Sequence, residues 1–243
     1  MEKLRIAAFA TLAAGLSLAL ASPPAVAAHS LKVSVDGFKN GGKIPTKYAF
    51  CVATAQGHTT GGENISPRIS WSKGPSGTKS YAIILYDTDS PAAERDKMNK
   101  EGMTLVSTVP RQKFFHWVLA DIPPTVTSLP EGAESNARVL HGKPATPSKY
   151  GMRGLNDFTK ITASNDAMKG KYFGYDGPCP PWNDENVHHY HFTVYALSVK
   201  TLDLPPDFDA PAALAAMQGK VLAEGQELGL YTQNPAKGAV VQK

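Results

Sequence analysis

The chain has 243 residues, of which 42% are hydrophobic and 19% charged, and its formal net charge is +4 at pH 7. This composition is typical of a globular protein of one or two domains and excludes a disordered, collagen-like or coiled-coil chain. The 25 basic residues are scattered among 21 acidic ones, so the chain lacks the basic stripe that a nucleic acid partner requires.

The N-terminus has the pattern of a secretory signal peptide. Two basic residues precede an apolar run from Ile6 to Leu20, and Ala25 with Ala27 forms an A-x-A cleavage site. The alternative is a transmembrane anchor, but the run has about 15 residues, fewer than the ~20 that cross a bilayer. We therefore predict a signal peptide over residues 1–27 and one domain over 28–243, periplasmic or secreted, with weak or no membrane association.

The two cysteines, Cys51 and Cys179, would meet an oxidising compartment after export. One disulfide is then possible, and the alternative is two separate buried thiols. A CxxC redox motif and a structural zinc site are excluded by the number and spacing of the cysteines.

Alternating or continuous apolar residues predict five strands. They cover Leu31–Val35, Ile69–Trp71, Tyr81–Tyr86, Phe114–Ala120 and His188–Val199. The high content of glycine and proline, 21 and 19 residues, adds many turns to this pattern. The sequence therefore favours a mainly β fold.

The remaining segments are predicted to be irregular, apart from one late helix. Thr54–Asn64 is a polar loop, Ala92–Lys113 is a charged surface excursion, and 131–186 is a long region of the kind that tends to be functional. Asp209 is a candidate N-cap for a helix that would run to about Ala223.

Three segments carry groups suited to binding or catalysis. Asp87 and Asp89 directly follow a buried strand and would lie at the rim of a sheet, although aspartate and Ser-Pro are also ordinary turn residues. His116 lies within an apolar strand, where it must be paired or face a cavity, and a satisfied core histidine is the plainer alternative.

The third segment is a proline-rich loop, Gly177–Pro181, followed by the strand that begins at His188. Alternation places His188 and Tyr190 on one face and His189 with His191 on the other. The second pair could form half of a metal site, but a second pair of ligands is missing from the sequence. A cysteine hydrolase built on Cys179 is a further alternative, whereas the G-x-S-x-G elbow of serine hydrolases is absent.

Together these segments resemble the phosphatidylethanolamine-binding protein family, also called the Raf kinase inhibitor protein-like family, and most of all its bacterial branch. The motifs are D-x-D-x-P at Asp87–Pro91, F-x-H-W-V at Phe114–Val118, G-P-C-P-P at Gly177–Pro181 and H-x-Y at His188–Tyr190, with weaker matches at Gly62–Pro67 and Gly154–Phe158. The resemblance runs from about Leu31 to Leu230.

The resemblance implies a central antiparallel sheet, a second smaller sheet and a few peripheral helices. It also implies a small anion pocket for phosphate or phosphoethanolamine-like head groups, without catalytic residues, cofactor or metal. The implied pocket residues are Asp87, His116, Pro181, His188 and Tyr190, with Asp89, Pro91 and Cys179 in support.

A phosphate would accept hydrogen bonds from imidazole N–H groups, more strongly when the imidazoles are charged. We expect Asp87 to face a ligand amine or to orient a histidine, while His116 and His188 face the phosphate. Binding should then tighten as the pH falls from 8 to 6.

Two segments depart from the family pattern. Ala92–Lys113 is an insertion that would cover the pocket or contact a partner, and Ile161–Lys171 lengthens the stretch before the proline-rich loop. The alternative functions are inhibition of a protease or kinase through a protein interface, and hydrolysis by the His/Asp cluster, for which an evident nucleophile is lacking. A vestigial pocket is the plainest alternative.

Overall fold

The computed structural model describes residues 29–56, 58–146 and 148–237, so the predicted signal peptide, residues 1–27, lies outside the described residues. Within these ranges, no helix is long and apolar enough to cross a membrane.

The described residues form twelve strands and two α-helices. In chain order they are β1 (His29–Ser30), β2 (Val33–Val35), β3 (Gly42–Lys43), β4 (Cys51–Ala53), β5 (Thr59–Gly61), β6 (Ile69–Trp71), β7 (Ser80–Pro91), β8 (Arg111–Ile122), β9 (Ser128–Leu129), β10 (Met152–Arg153), α1 (Phe158–Ile161), β11 (His188–Leu197), α2 (Ala210–Met217) and β12 (Val221–Tyr231). Short 3-10 turns cover Thr46–Tyr48 and Arg95–Lys97.

The main sheet has the strand order β1-β12-β11-β7-β8-β10, and β3 also pairs with β12. Its long strands are antiparallel to their neighbours, whereas the short β1 and β3 add to β12 in parallel. A second sheet has the order β2-β6-β9, and β4 pairs with β5. The predicted mainly β fold, with a central antiparallel sheet, a second smaller sheet and few helices, is confirmed.

Each face of the main sheet buries a hydrophobic core. On one face, Leu85, Trp117 and Phe192 pack with Ile69 and Trp71 of the second sheet. On the other face, side chains of β7 and β8 pack against α2. Each large apolar side chain buried in this way contributes about 1.5–3 kcal/mol to stability. The second sheet, the main sheet and α2 therefore form three packed layers, which hold the strand ends in place.

The late helix is shorter than predicted, and the strand that follows it was missed. Asp209 caps α2 as expected, because its carboxylate accepts the backbone N–H of Ala212 at 3.2 Å. However, the helix ends at Met217, and β12 follows. The sequence of β12 is polar and contains glycines, so it does not indicate a strand. Gly225 is required there because a Cβ would collide with the backbone oxygen of Leu31 in the adjoining segment.

Other boundaries also differ from the predictions. β8 begins at Arg111, so the excursion predicted over Ala92–Lys113 ends three residues earlier. The loop predicted over Thr54–Asn64 contains β5, which forms a hairpin with β4. Strand β7 continues to Pro91 instead of ending at Tyr86, because pairing with β8 resumes beyond an irregularity that follows Asp87. Asp87 therefore lies within the strand, not after it.

Candidate functional site

Three long strands bring polar side chains together at one end of the main sheet. β7 ends there, and β8 and β11 begin there because both are antiparallel to β7. In the ladder, Asp87 of β7 lies between Tyr190 of β11 and Phe114 of β8. These residues line a cavity of about 400 Å³. The motif segments identified in the sequence therefore meet at one cavity.

A β-bulge in β8 determines where His116 lies. Leu85 of β7 pairs with Trp117, and the next residue of β7 pairs with Phe115, which leaves His116 as the extra residue in β8. A bulge of this kind re-aims a side chain. Strict alternation would have placed His116 on the face that packs against α2, whereas it lines the cavity.

The His116 side chain is buried and neutral at pH 7. Its Nδ1 lies 2.8 Å from the backbone carbonyl oxygen of Asp176, so Nδ1 carries the proton and donates it. Burial lowers the pKa of His116 below its usual value of 6.5, although the nearby charge of Asp87 opposes this. The hydrogen bonds of the described residues leave Nε2 without a partner.

The acceptor of His116 is itself held by a buried network. The carboxylate of Asp176 is 2.5 Å from Nζ of Lys143, 2.8 Å from the amide nitrogen of Asn156 and 2.7 Å from that of Asn64. These contacts fix the backbone of Asp176 and therefore fix the ring of His116.

His188 is in the opposite state, because both ring nitrogens face carboxylates. Nδ1 lies 2.6 Å from Asp87, and Nε2 lies 3.2 Å from Asp184. Burial alone would lower the pKa of His188, but the two carboxylates outweigh it and raise the pKa to about 9. Both N–H groups are used within the protein, so the expectation that His188 faces a ligand phosphate does not fit this geometry.

A partly buried arginine completes this chain of charges. Arg111 donates to both carboxylate oxygens of Asp184, at 2.5 and 3.0 Å, and to the backbone carbonyl of Asp89 at 2.9 Å. Burial would raise the pKa of Asp184, but His188 and Arg111 hold it below its usual value. Two carboxylates and two cations alternate, so the chain as a whole is neutral.

Tyr190 contributes a hydroxyl without a partner. Its side chain is 0% exposed, and its hydroxyl makes no hydrogen bond among the described residues. Burial, followed by the charge of Asp87, raises the pKa of Tyr190 well above 10. The hydroxyl therefore stays protonated and can donate one hydrogen bond.

Three aromatic rings form an apolar part of the cavity wall. The rings of Phe50 and Phe158 are 4.4 Å apart, and Phe114 meets Phe158 edge to face at 5.4 Å. The lengthened segment predicted over Ile161–Lys171 supplies four further lining residues. They are Ile161, Thr162, Asn165 and Met168. The segment predicted to depart from the family motif pattern therefore builds part of the wall.

The bridge between Cys51 and Cys179 is present, with the two Cα atoms 4.7 Å apart. It ties β4 to the proline-rich loop, and both cysteines line the cavity. Because Cys179 is bridged, it is not a free thiol, which removes the cysteine hydrolase alternative.

Part of Ala92–Lys113, the segment predicted to be an insertion, packs beside the cavity. The side chain of Asn183 accepts the backbone N–H of Asn99 at 2.9 Å and donates to the carbonyl of Lys97 at 2.9 Å. The side chain of Asn99 in turn accepts the backbone N–H of Trp182 at 3.0 Å. Met98 and Asn99 consequently line the cavity.

Of the residues selected from sequence, all but one line the cavity. The lining set is Asp87, Pro91, His116, Cys179, Pro181, His188 and Tyr190. Asp89 lies outside it, where its carboxylate accepts the backbone N–H of His189 at 3.0 Å. Sequence reasoning missed Arg111, Asp184 and Arg138, because nothing in their local pattern distinguishes them from surface charges.

The other two histidines of β11 do not form a metal site. His189 pairs with Asp89, and His191 stacks on Tyr86 at 4.9 Å and contacts Gln226 at 3.1 Å. Across 29–56, 58–146 and 148–237, no group of three or more metal-ligating side chains could hold an ion.

Comparison with known proteins places the chain among relatives of one kind. The family model described as phosphatidylethanolamine-binding protein matches residues 34–232. A UPF0098 protein of Aquifex aeolicus is 33% identical over 205 residues, covering 84% of this chain and 90% of the relative. The UPF0098 protein YbcL of Escherichia coli is 31% identical, covering 77% and 78%.

Solved structures agree with these matches. The crystal structure of E. coli YbcL, described as a new member of the mammalian PEBP family, matches with a TM-score of 0.57 and 26% identity, covering 84% of this chain and 99% of YbcL. A putative PEBP homolog, CT736 from Chlamydia trachomatis, matches with a TM-score of 0.54 and 27% identity, covering 83% and 97%. The chain belongs to the phosphatidylethanolamine-binding protein family.

Proposed function

We propose that the protein is an exported binding protein that holds a phosphate or phosphoethanolamine-like head group in this cavity without chemical turnover. The supporting observation is the side chain of Tyr190, which lines the cavity and whose buried hydroxyl has no hydrogen-bond partner among the described residues. An unsatisfied buried donor costs roughly 1–3 kcal/mol, and an oxygen of a bound anion would remove that cost.

His116 supplies the second contact to the anion. Its ring is held by Asp176 through Nδ1, so Nε2 remains for the ligand. An approaching phosphate raises the pKa of His116 and makes Nε2 a charged donor, which strengthens the hydrogen bond. The charges of Asp87 and His188 balance one another, so Asp87 does not by itself repel the anion.

A ligand ammonium group could donate a hydrogen bond to Asp87. The carboxylate accepts the backbone N–H of Asp89 at 2.7 Å and faces His188, and it is 3% exposed. A carboxylate oxygen has two lone pairs, so a further donor can be accepted. A zwitterionic head group therefore fits the site better than a dianion alone.

Two features support export and binding without turnover. The disulfide is of a kind that persists in an oxidising compartment. The bridged state of Cys179 removes a thiol nucleophile from the cavity. We therefore propose that the protein acts in the periplasm or the medium and expect it to release its ligand unchanged.

The deciding experiment is a titration of the mature protein with O-phosphoethanolamine and with inorganic phosphate, followed by backbone amide NMR. We expect shifts localised around Asp87, His116 and Tyr190, and an affinity about tenfold lower in Tyr190→Phe, because one hydrogen bond to an anion is lost. Ligand recovered unchanged after prolonged incubation would support binding without turnover.

Tyr195→Phe is the matched control. Tyr195 lies on the same strand but packs on the face that carries α2. This variant should bind as the wild type does. Equal affinity of Tyr190→Phe and wild type, or the absence of shifts at millimolar ligand, would contradict the proposal.

A further inference from the structure

Arg138 differs from the two other partly buried arginines of the described chain. Arg111 is paired with Asp184, and Arg153 is paired with Glu134 at 2.8 Å. Arg138 has no carboxylate within salt-bridge distance among the described residues, and its buried Nε makes no hydrogen bond there. Its side chain lines the cavity. A guanidinium without a carboxylate partner at the wall of a cavity is suited to bind an anion that enters the cavity.

The guanidinium of Arg138 is held in place by two neighbours. Its central carbon lies 4.7 Å from the ring centroid of Phe50, within the range of a cation–π contact. On another side is Gly61, where a Cβ would lie 2.7 Å from Nη1. The plane is therefore positioned without consuming its hydrogen-bond donors, which a guanidinium offers in a rigid fork.

A continuous row of rings connects Arg138 to Tyr190, at the polar floor of the cavity that Asp87, His116 and Tyr190 form. Phe50 lies 4.4 Å from Phe158, Phe158 lies 5.7 Å from His116, and His116 lies 5.3 Å from Tyr190. Arg138 lies at one end of this row and Tyr190 at the other, and the rings of Phe50, Phe158 and His116 lie between them. The rings between them offer an apolar surface to whatever connects the two ends.

We propose that Arg138 is a second anion-binding group, and that the ligand is an elongated compound with a phosphate at one end, a flat apolar body and a second acidic group at the other. The inference rests on the proposed function, since the phosphate end occupies the site of Tyr190 and His116. The apolar body lies against Phe50 and Phe158, and the second acidic group accepts the donors of Arg138. A free head group would fill part of this site only.

The test compares four aryl phosphates by isothermal titration calorimetry: phenyl phosphate, biphenyl-4-yl phosphate and the para-carboxylated form of each. In the wild-type protein, at least one carboxylated compound should bind about tenfold more tightly than its parent, as a charge-assisted hydrogen bond predicts. In Arg138→Gln this ratio should fall to about one, while the affinity for the parent compounds changes less than about twofold.

Two further variants check the assignment. Arg138→Lys keeps the charge but not the planar fork, so it should retain part of the ratio. Arg68→Gln removes an exposed arginine that does not line the cavity and should leave the ratio unchanged. Thermal melting of each variant verifies that it is folded.

The outcomes separate this inference from the proposed function. If phosphate and aryl phosphates bind but the carboxylate adds nothing in the wild type, or adds as much in Arg138→Gln, the role of Arg138 is wrong and the head-group site stands. If neither phosphate nor any aryl phosphate binds, both proposals fall.

Discussion

Two buried histidines at the same end of the sheet are held in opposite protonation states. His116 and His188 are 3% and 1% exposed, and both line the cavity. His116 meets a backbone carbonyl and has a lowered pKa, whereas His188 meets two carboxylates and has a pKa of about 9.

The comparison shows that partners, and not depth, determine the charge of a buried histidine. Desolvation opposes the charged form of both rings. At His188 the carboxylates of Asp87 and Asp184 outweigh desolvation, and the charge of Arg111 balances that of the second carboxylate. At His116 the Asp87 charge is insufficient, so the ring stays neutral and its Nε2 remains for a ligand.

The largest expected effect comes from removing the cation behind His188. Arg111→Met should lower the free energy of unfolding by about 3–5 kcal/mol, because it breaks a buried ion pair and leaves Asp184 with one cation for a partner. Urea denaturation at pH 7 measures this loss.

Lys160→Met is the control for Arg111. Lys160 bonds to Asp157 and Asp209 at the surface, where an ion pair contributes roughly 0–1 kcal/mol. Equal losses in the two variants would show that the Arg111–Asp184 pair stabilises the fold no more than a surface pair does.

The second prediction follows from the raised pKa of His188. A group whose pKa is higher in the folded than in the unfolded state stabilises the fold fully below its unfolded pKa, and this contribution is lost as the pH rises through the folded pKa. The window therefore runs from pH 6.5 to about 9. Across it, the wild type should lose about 2–3 kcal/mol more than His188→Gln does.

Urea denaturation of both proteins at pH 6.5 and 9 gives the comparison, because the difference between the two pH values is independent of the cost of the substitution itself. Parallel pH profiles would mean that His188 is not held as a cation.

The third and smallest effect concerns His116 and ligand affinity. Phenyl sulfate keeps a constant charge over this range, so its binding reports the protein groups alone. Affinity should rise about tenfold as the pH falls from 8 to 6, and it should continue to rise below 6.5, because the pKa of free His116 is lowered. Calorimetry at several pH values measures the curve.

His116→Gln should flatten this profile, whereas His188→Gln should keep a rise of affinity toward low pH, since His188 is already charged throughout the range. A profile that follows His188 instead would reverse the roles assigned to the two histidines.

The local pattern of the sequence was sufficient for features that depend on neighbours along the chain. Continuous apolar runs located β7 and β8, alternation placed His188 and Tyr190 on one face of β11, and Asp209 capped α2. Strands and helix caps depend on residues that are close in sequence, so they can be predicted without knowledge of the tertiary contacts.

Motifs located most of the cavity floor for a different reason. Asp87, His116 and Tyr190 lie in segments whose order resembles a known family, and the strand ends that carry them meet in the structure. The apolar wall was not predicted, because Phe50 and Phe158 lie in segments without periodicity and meet only when the irregular 131–186 region folds back over the sheet.

By itself, the sequence determined the mainly β class, the motif residues of the floor, and the availability of two cysteines for one bridge. Only the tertiary structure decided that β12 is a strand, that a bulge brings His116 to the cavity, and that Arg111 is paired with a carboxylate whereas Arg138 has none within salt-bridge distance among the described residues. The physical reason is that the effect of a charge or of a register shift depends on partners that are distant in sequence. Arg111 contacts the carboxylate of Asp184, whereas Arg138 lines the cavity.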